Sequence, residues 1–227
     1  MRCLMCQQPI IQVPSLWTLI GVQRRYPPFI CETCLRTFER IGPQRCQGCG
    51  RSLIKSRVCP DCQKWQALYP QQTFQNQALF TYNEAMRLYF QRYKGQGDYQ
   101  LRCLLQSEIQ NQWPVQAKTW YVPIPTARAH YEQRGFDPVL GLYQDCFPLT
   151  TLLTKRPTQQ GQSQKTRAER LASPQFFDYQ ATTECQLPRK IVLLDDIYTT
   201  GRTLWHAQQC LRAHFLKIPI KSITLAR

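Results

Sequence analysis

The alternation of apolar and polar positions divides the chain into two textures. From about residue 78 onward, short apolar runs alternate with stretches in which apolar residues recur every three or four positions. Leu79-Phe80-Thr81-Tyr82 reads as a short strand. Asn83 follows where a helix cap belongs, and Met86, Tyr89, Phe90 and Tyr93 then fall on one helical face. Lys94-Gly95-Gln96-Gly97-Asp98 breaks that helix, and Leu101, Leu104, Leu105 and Ile109 predict a second helical stripe. Thr119-Trp120-Tyr121-Val122-Pro123-Ile124 predicts a strand, residues 138–143 read as the start of a helix, and residues 149–154 predict another strand. Ile191-Val192-Leu193-Leu194 is wholly apolar, as a parallel strand buried on both faces requires. A helix over 203–215 and a strand over 222–226 complete the series. The expected fold class is α/β, a mainly parallel sheet flanked by helices over residues 78–227.

Residues 1–66 look different. They carry several prolines, almost no helical periodicity, and eight cysteines in four Cys-x-x-Cys pairs: Cys3/Cys6, Cys31/Cys34, Cys46/Cys49 and Cys59/Cys62. Residues 67–77, with Pro70 and four glutamines, read as a linker. Two thiolates three positions apart grip one metal ion from a tight turn, and zinc takes four ligands in a tetrahedron. Four such knuckles therefore predict a small module with two structural Zn²⁺ sites. Disulfides and an iron–sulfur cluster are the alternatives; the cytosolic location expected below disfavours the former. The knuckles can join sequentially or interleave. The gaps of 24 residues between Cys6 and Cys31 and of 9 between Cys49 and Cys59 favour the sequential order. In Cys46-Gln47-Gly48-Cys49-Gly50, the glycines ease the bend toward the sulfurs.

Charge adds a partner class. The 227-residue chain has a formal net charge of +15. Residues 1–65 hold ten Lys/Arg against three Asp/Glu, a balance of +7, and the remainder carries +8. Such an excess fits an anionic partner such as nucleic acid, and equally a solubilising surface. Two zinc ions held by eight thiolates would bring the module from +7 to +3. Arg24, Arg25, Arg51, Lys55 and Arg57 are the module's candidates for DNA contact. No apolar run reaches the roughly 18 residues of a membrane span, so no membrane insertion is expected. No secretory pattern opens the sequence, and a cytoplasmic protein is expected.

The other chemical signal follows the apolar run. Asp195-Asp196-Ile197-Tyr198-Thr199-Thr200-Gly201-Arg202-Thr203 places two acids at a strand end, then a turn of threonines around a glycine, then a helix. Free N–H groups at a helix start bind phosphate, threonine hydroxyls add donors, and Gly201 lets the backbone approach the ligand. The carboxylates suit neighbouring ribose hydroxyls and a divalent cation. Phosphate at one end and diol plus metal at the other describe a sugar phosphate.

This run resembles the fingerprint of type I phosphoribosyltransferases. The resemblance implies that Asp195 and Asp196 bind the ribose hydroxyls of 5-phosphoribosyl-1-diphosphate. Thr199, Thr200, Gly201, Arg202 and Thr203 would cradle its 5′-phosphate, with Tyr198 narrowing the site. Other segments resemble the narrower ComF family of competence-associated, phosphoribosyltransferase-like proteins. They are Tyr93-Lys94-Gly95, the run Tyr121-Val122-Pro123-Ile124-Pro125 with Arg128 and Arg134-Gly135-Phe136, and the final Leu225-Ala226-Arg227. Asp137-Pro138 departs from that family's usual Asn-Gln. Residues 155–170, with Lys155, Arg156, Ser163, Lys165 and Arg167, resemble its flexible loop. Lys155 and Arg156 would close on the diphosphate, with Mg²⁺ sharing its charge. The resemblance, together with the charge, implies an accessory protein of natural transformation. It would bind single-stranded DNA and phosphoribosyl diphosphate, beside a DNA-translocating helicase. The alternative is an active phosphoribosyltransferase with an unidentified nitrogen acceptor.

Overall fold

The computed structural model describes residues 1–10, 29–53, 57–70, 73–156, 175–182 and 186–227. Among these, six strands form: β1 (Asn76–Phe80), β2 (Thr119–Pro123), β3 (Leu153–Lys155), β4 (Phe177–Tyr179), β5 (Lys190–Ile197) and β6 (Ile220–Ala226). Four make one sheet in the order β1-β6-β5-β2, and each neighbouring pair is parallel. β5 is flanked on both sides, which explains its apolar run. Ile191 and Leu193 enter the core on one face, Val192 and Leu194 the core on the other. Each of these buried side chains contributes roughly 1.5–3 kcal/mol.

The helices follow the sequence pattern with instructive departures. Asn83 caps Glu84–Phe90, its Oδ1 accepting from Met86 N at 3.1 Å. The chain then widens into a π-helical turn over Gln91–Gly95, where Tyr93 is buried and donates to Pro138 O at 2.9 Å. The stripe from Leu101 to Ile109 is buried as its spacing predicts, but its backbone is a 3-10 turn, Tyr99–Cys103, followed by the helix Gln106–Gln112. In 149–154, Leu149 makes only a one-residue parallel bridge to Tyr121. The chain then leaves the main sheet, and β3 pairs antiparallel with β4. Three helices, Glu32–Arg36, Pro60–Leu68 and Arg128–Arg134, carry no periodicity visible in the sequence. Pro60–Leu68 begins with Pro at its first position, and Arg128–Arg134 ends at Gly135, which adopts φ 77°.

The cysteines gather in sequential order: Cys3, Cys6, Cys31 and Cys34 in one tetrad, Cys46, Cys49, Cys59 and Cys62 in the other. Within each, the four Sγ atoms lie within 4.8 Å of one another. Cys6 and Cys31 Sγ are 3.7 Å apart, and Cys49 and Cys59 Sγ are 3.6 Å apart. A tetrahedron with Zn–S bonds of about 2.3 Å requires about 3.8 Å, so both tetrads fit zinc. Backbone N–H groups already serve the sulfurs, from Cys31 to Cys3 at 3.3 Å and from Cys59 to Cys46 at 3.3 Å. Burial opposes the Cys3 thiolate, but the N–H groups of Cys6, Cys31 and Met5 outweigh it and bring its pKa to about 6. Gly48 is required for close approach, since a Cβ there would stand 2.8 Å from Cys62 Sγ.

The tetrads sit on opposite faces of the sheet. The first packs with Phe38, Phe80 and Tyr89 against the face of Val192 and Leu194, and the second with Trp65, Phe74 and Trp205 against the face of Ile191 and Leu193. Backbone bonds join the module to the β1 edge, from Ile41 N to Leu79 O at 3.1 Å and from Thr81 N to Glu39 O at 2.8 Å. Asn76 N donates to Gly48 O at 2.7 Å, and the buried Asn76 side chain bonds both Cys49 O and Thr224 Oγ1. No helix of the described residues is long and apolar enough to cross a membrane.

Elemental analysis of protein purified without added metal is expected to return two zinc ions per chain. A value near one means that one tetrad is idle, and iron rules out the zinc assignment. Because Cys49 is fully buried and Cys6 exposed, Cys49→Ser is expected to lower the melting temperature more than Cys6→Ser.

Candidate functional site

β5 carries Asp195 and Asp196 to the C-terminal edge of the sheet, where ligands of open α/β sheets bind. Asp195 is buried, its Oδ1 accepts from Asp196 N at 2.9 Å, and its carbonyl accepts from the Tyr143 hydroxyl at 2.9 Å. Burial, and then the neighbouring Asp196 charge, push the Asp195 carboxyl up to about 8. Asp196 is ion-paired with Lys94, whose ammonium lies 4.5 Å from the Phe90 ring centroid. Sequence reasoning gave Lys94 no role of its own. Its signal was the Tyr93-Lys94-Gly95 turn, which the π-helical geometry aims at the acidic pair.

The loop after Asp196 turns on Gly201, at φ 81°, into the helix Arg202–Arg212. A Cβ at Gly201 would stand 2.0 Å from the Tyr198 hydroxyl, so glycine is needed for space as well as for conformation. The Tyr198 ring does not narrow the cleft. It is buried behind the loop, 5.9 Å from the Phe74 ring, and the Arg227 guanidinium lies 4.8 Å from its centroid. Thr199 and Thr203 do line the cleft. Thr200 offers its carbonyl to the rear, where Trp65 Nε1 donates at 2.8 Å. Arg202 is buried, 5.1 Å from the Phe176 ring centroid.

The cleft has a volume of about 280 Å³, and its other wall includes Thr126, Arg134, Pro138 and Lys155. Asp137, the departure from the family pattern, is buried and fully used. Its Oδ2 accepts from Thr126 N at 2.8 Å, and its Oδ1 from Val139 N and Leu140 N at 2.9 and 3.0 Å. It therefore caps the helix Pro138–Tyr143 and fixes the loop that follows β2. Burial lowers the Lys155 pKa, while the charges of Asp195 and Asp196 oppose the shift. Its Nζ lies 5.6 Å from the Phe176 ring centroid. Arg156 is not brought to the cleft; it makes a forked ion pair with Asp178 on β4, with Nε 2.9 Å from each carboxylate oxygen. Ser163, Lys165 and Arg167 lie outside the described residues, as do Arg24, Arg25 and Lys55. Arg51 is ion-paired with Asp61 at 3.2 Å, and Arg57 is exposed.

Loop N–H groups and a helix start thus share one cleft with two carboxylates and two cations. The N–H groups and the two cations can serve an anion, and the two carboxylates can accept from hydroxyls or hold a divalent cation.

The acidic pair has a pH signature. The Asp195 pKa in the folded chain lies above the ordinary 3.8, so its ionisation opposes folding. The associated stability is full below pH about 4 and is lost as pH rises toward 8. Asp195→Asn is expected to melt above the wild type at pH 8.5, with the gap narrowing as pH falls to 5. Equal melting curves at all pH values would remove the buried-charge account.

No protein-family model matches the chain. Competence protein ComFC of Streptococcus pneumoniae (strain ATCC BAA-255 / R6) is 35% identical over 229 residues, covering 100% of both chains. Competence protein ComFC of Bacillus subtilis (strain 168) is 30% identical over 209 residues, covering 87% of this chain and 84% of that protein. Identity at this level across both the cysteine tetrads and the α/β domain shows that the chain belongs to the ComFC family of competence proteins.

Proposed function

We propose that this protein is an accessory factor of natural transformation that binds 5-phosphoribosyl-1-diphosphate and single-stranded DNA in the cytosol, beside a DNA-translocating helicase. The competence role rests on the two relatives, each named a competence protein. The observation that carries the ligand is the cleft, in which Asp195 and Asp196 face the start of the Thr-Thr-Gly-Arg-Thr loop. The carboxylates suit a ribose diol and Mg²⁺, and the loop suits the 5′-phosphate. Lys155 and Arg134 supply positive charge for the diphosphate on the opposite wall. Mg²⁺ would neutralise charge on the diphosphate oxygens, and the hard oxygen donors of the acidic pair fit that ion.

The second reading is an active phosphoribosyltransferase. A pocket of about 520 Å³ touches the same loop, but its lining includes Asp61, Tyr198, Thr200 and Arg227, so it opens behind the loop and gives that reading no acceptor space. Release of diphosphate from isotope-labelled phosphoribosyl diphosphate with candidate acceptors separates the two readings.

DNA binding rests on the net charge of +15. It is expected to be sequence-tolerant and salt-sensitive, with the log–log slope steepening by roughly 0.7 for each phosphate neutralised on a single strand. Affinity that is independent of salt, or undetectable at low salt, counts against the DNA half of the proposal.

The ligand half is checked by calorimetry with Mg²⁺ on the Asp195→Asn, Asp196→Asn double variant. Hydrogen bonds to charged groups are worth roughly 1.5–3 kcal/mol, so affinity is expected to fall at least about tenfold while the fold persists. If the double variant binds as the wild type does, the carboxylates are not ligand groups. If it binds no ligand yet transformation persists, the accessory role gains over the enzyme.

A further inference from the structure

The back of the loop is held by two side chains, one from the cysteine module and one from the residue that follows β6. Two of its carbonyls accept bonds from side chains behind it: Thr200 O from Trp65 Nε1 at 2.8 Å, and Tyr198 O from Arg227 Nη1 at 3.2 Å. Both donors trace to the fourth cysteine knuckle. Trp65 stands on the helix Pro60–Leu68, which is capped by Cys59 and contains Cys62. Arg227 Nη2 lies 3.8 Å from a carboxylate oxygen of Asp61, between those two cysteines, an ion-pair contact without a hydrogen bond. Asp61 also binds Arg51, one residue beyond Gly50, at 3.2 Å. The Trp65 ring is clamped in a stack, 5.3 Å from Trp205 and 6.0 Å from Tyr69 by centroids, so the indole N–H has little freedom of direction.

A trans peptide is planar and sends its N–H opposite to its C=O. No cis peptide occurs in the described chain. With the Thr200 carbonyl fixed to the rear, the N–H of Gly201 points forward. With the Tyr198 carbonyl fixed to the rear, the N–H of Thr199 points forward. We propose that Trp65 and Arg227 are positioning residues for the anion site, aiming the Thr199 and Gly201 amides into the cleft, and that phosphate binding therefore depends on the folded second cysteine tetrad. This rests on the phosphate reading of the loop and adds what orients it. The metal module thereby supports ligand binding without touching the ligand.

The test uses the full metal-loaded chain and Trp65→Phe, which keeps a ring in the stack and removes only the N–H. Four quantities are read: zinc content, melting temperature, amide hydrogen exchange over residues 197–204, and affinity for ribose 5-phosphate as the phosphate probe. Two zinc ions and a nearly unchanged melting temperature are expected. Exchange should quicken and ribose 5-phosphate affinity should fall, each by about five- to tenfold, the worth of one oriented hydrogen bond. Unchanged exchange with unchanged affinity overturns the proposal. If the wild type itself binds no ribose 5-phosphate, the phosphate reading fails; faster exchange in the variant then still establishes the brace. The wild type supplies a reading that needs no substitution. With its tryptophans labelled with ¹⁵N, the Trp65 indole N–H is expected to exchange slowly and to shift on titration with ribose 5-phosphate. A freely exchanging, unshifted indole overturns the brace even if the variant does not fold.

Discussion

A parallel sheet must be covered on both faces, and this requirement organises the molecule. Most α/β domains meet it with helices alone. Here part of the covering comes from cysteine tetrads, one packed with the core on each side of β5. A segment of about 65 residues is too short to build a large core of its own. Two cysteine tetrads that fit zinc and a shared core supply what it lacks. The module is consequently joined to the sheet at its edge strand, through Asn76 and the backbone bonds of Glu39 and Ile41. Its geometry is felt at the far end of the sheet, where the loop rests on Trp65.

The site holds stress that the core does not. β5 is apolar until it ends in two adjacent carboxylates, one of them buried with its pKa raised. Burying a carboxyl beside another costs stability in the empty protein. Lys94 offsets part of that cost by pairing with Asp196. Desolvated acids beside a cation in a cleft are a recurrent mark of functional sites. Arg156, by contrast, is saturated by Asp178 and contributes its charge elsewhere.

Much of the fold was legible because it is local. Asn83 caps its helix, the run from Ile191 to Leu194 forms the central strand, and Pro138 opens a helix. Departures occurred where tertiary packing outweighs periodicity. The stripe from Leu101 to Ile109 is buried as its pattern required, yet the backbone breaks between a 3-10 turn and a helix. The segment at Leu149 is held by a single bridge because the chain turns off to pair β3 with β4. The helix Pro60–Leu68 was hidden because its role is to support a knuckle and to place Trp65, which needs no continuous apolar stripe.

The sequence by itself determined the chemistry on offer: thiolates in pairs three apart, two acids at a strand end, and threonines around a glycine at a helix start. These are short-range facts, set by the bend of a knuckle and the free N–H groups of a helix. Only the tertiary structure decided which groups meet. It joined the knuckles in sequential order, turned Tyr198 inward and Arg156 away, brought Lys94 to Asp196, and set Trp65 against Thr200, 135 residues along the chain. Periodicity reports which face of an element is buried. It carries no record of which distant element covers that face, because that choice is made by packing among all of them at once.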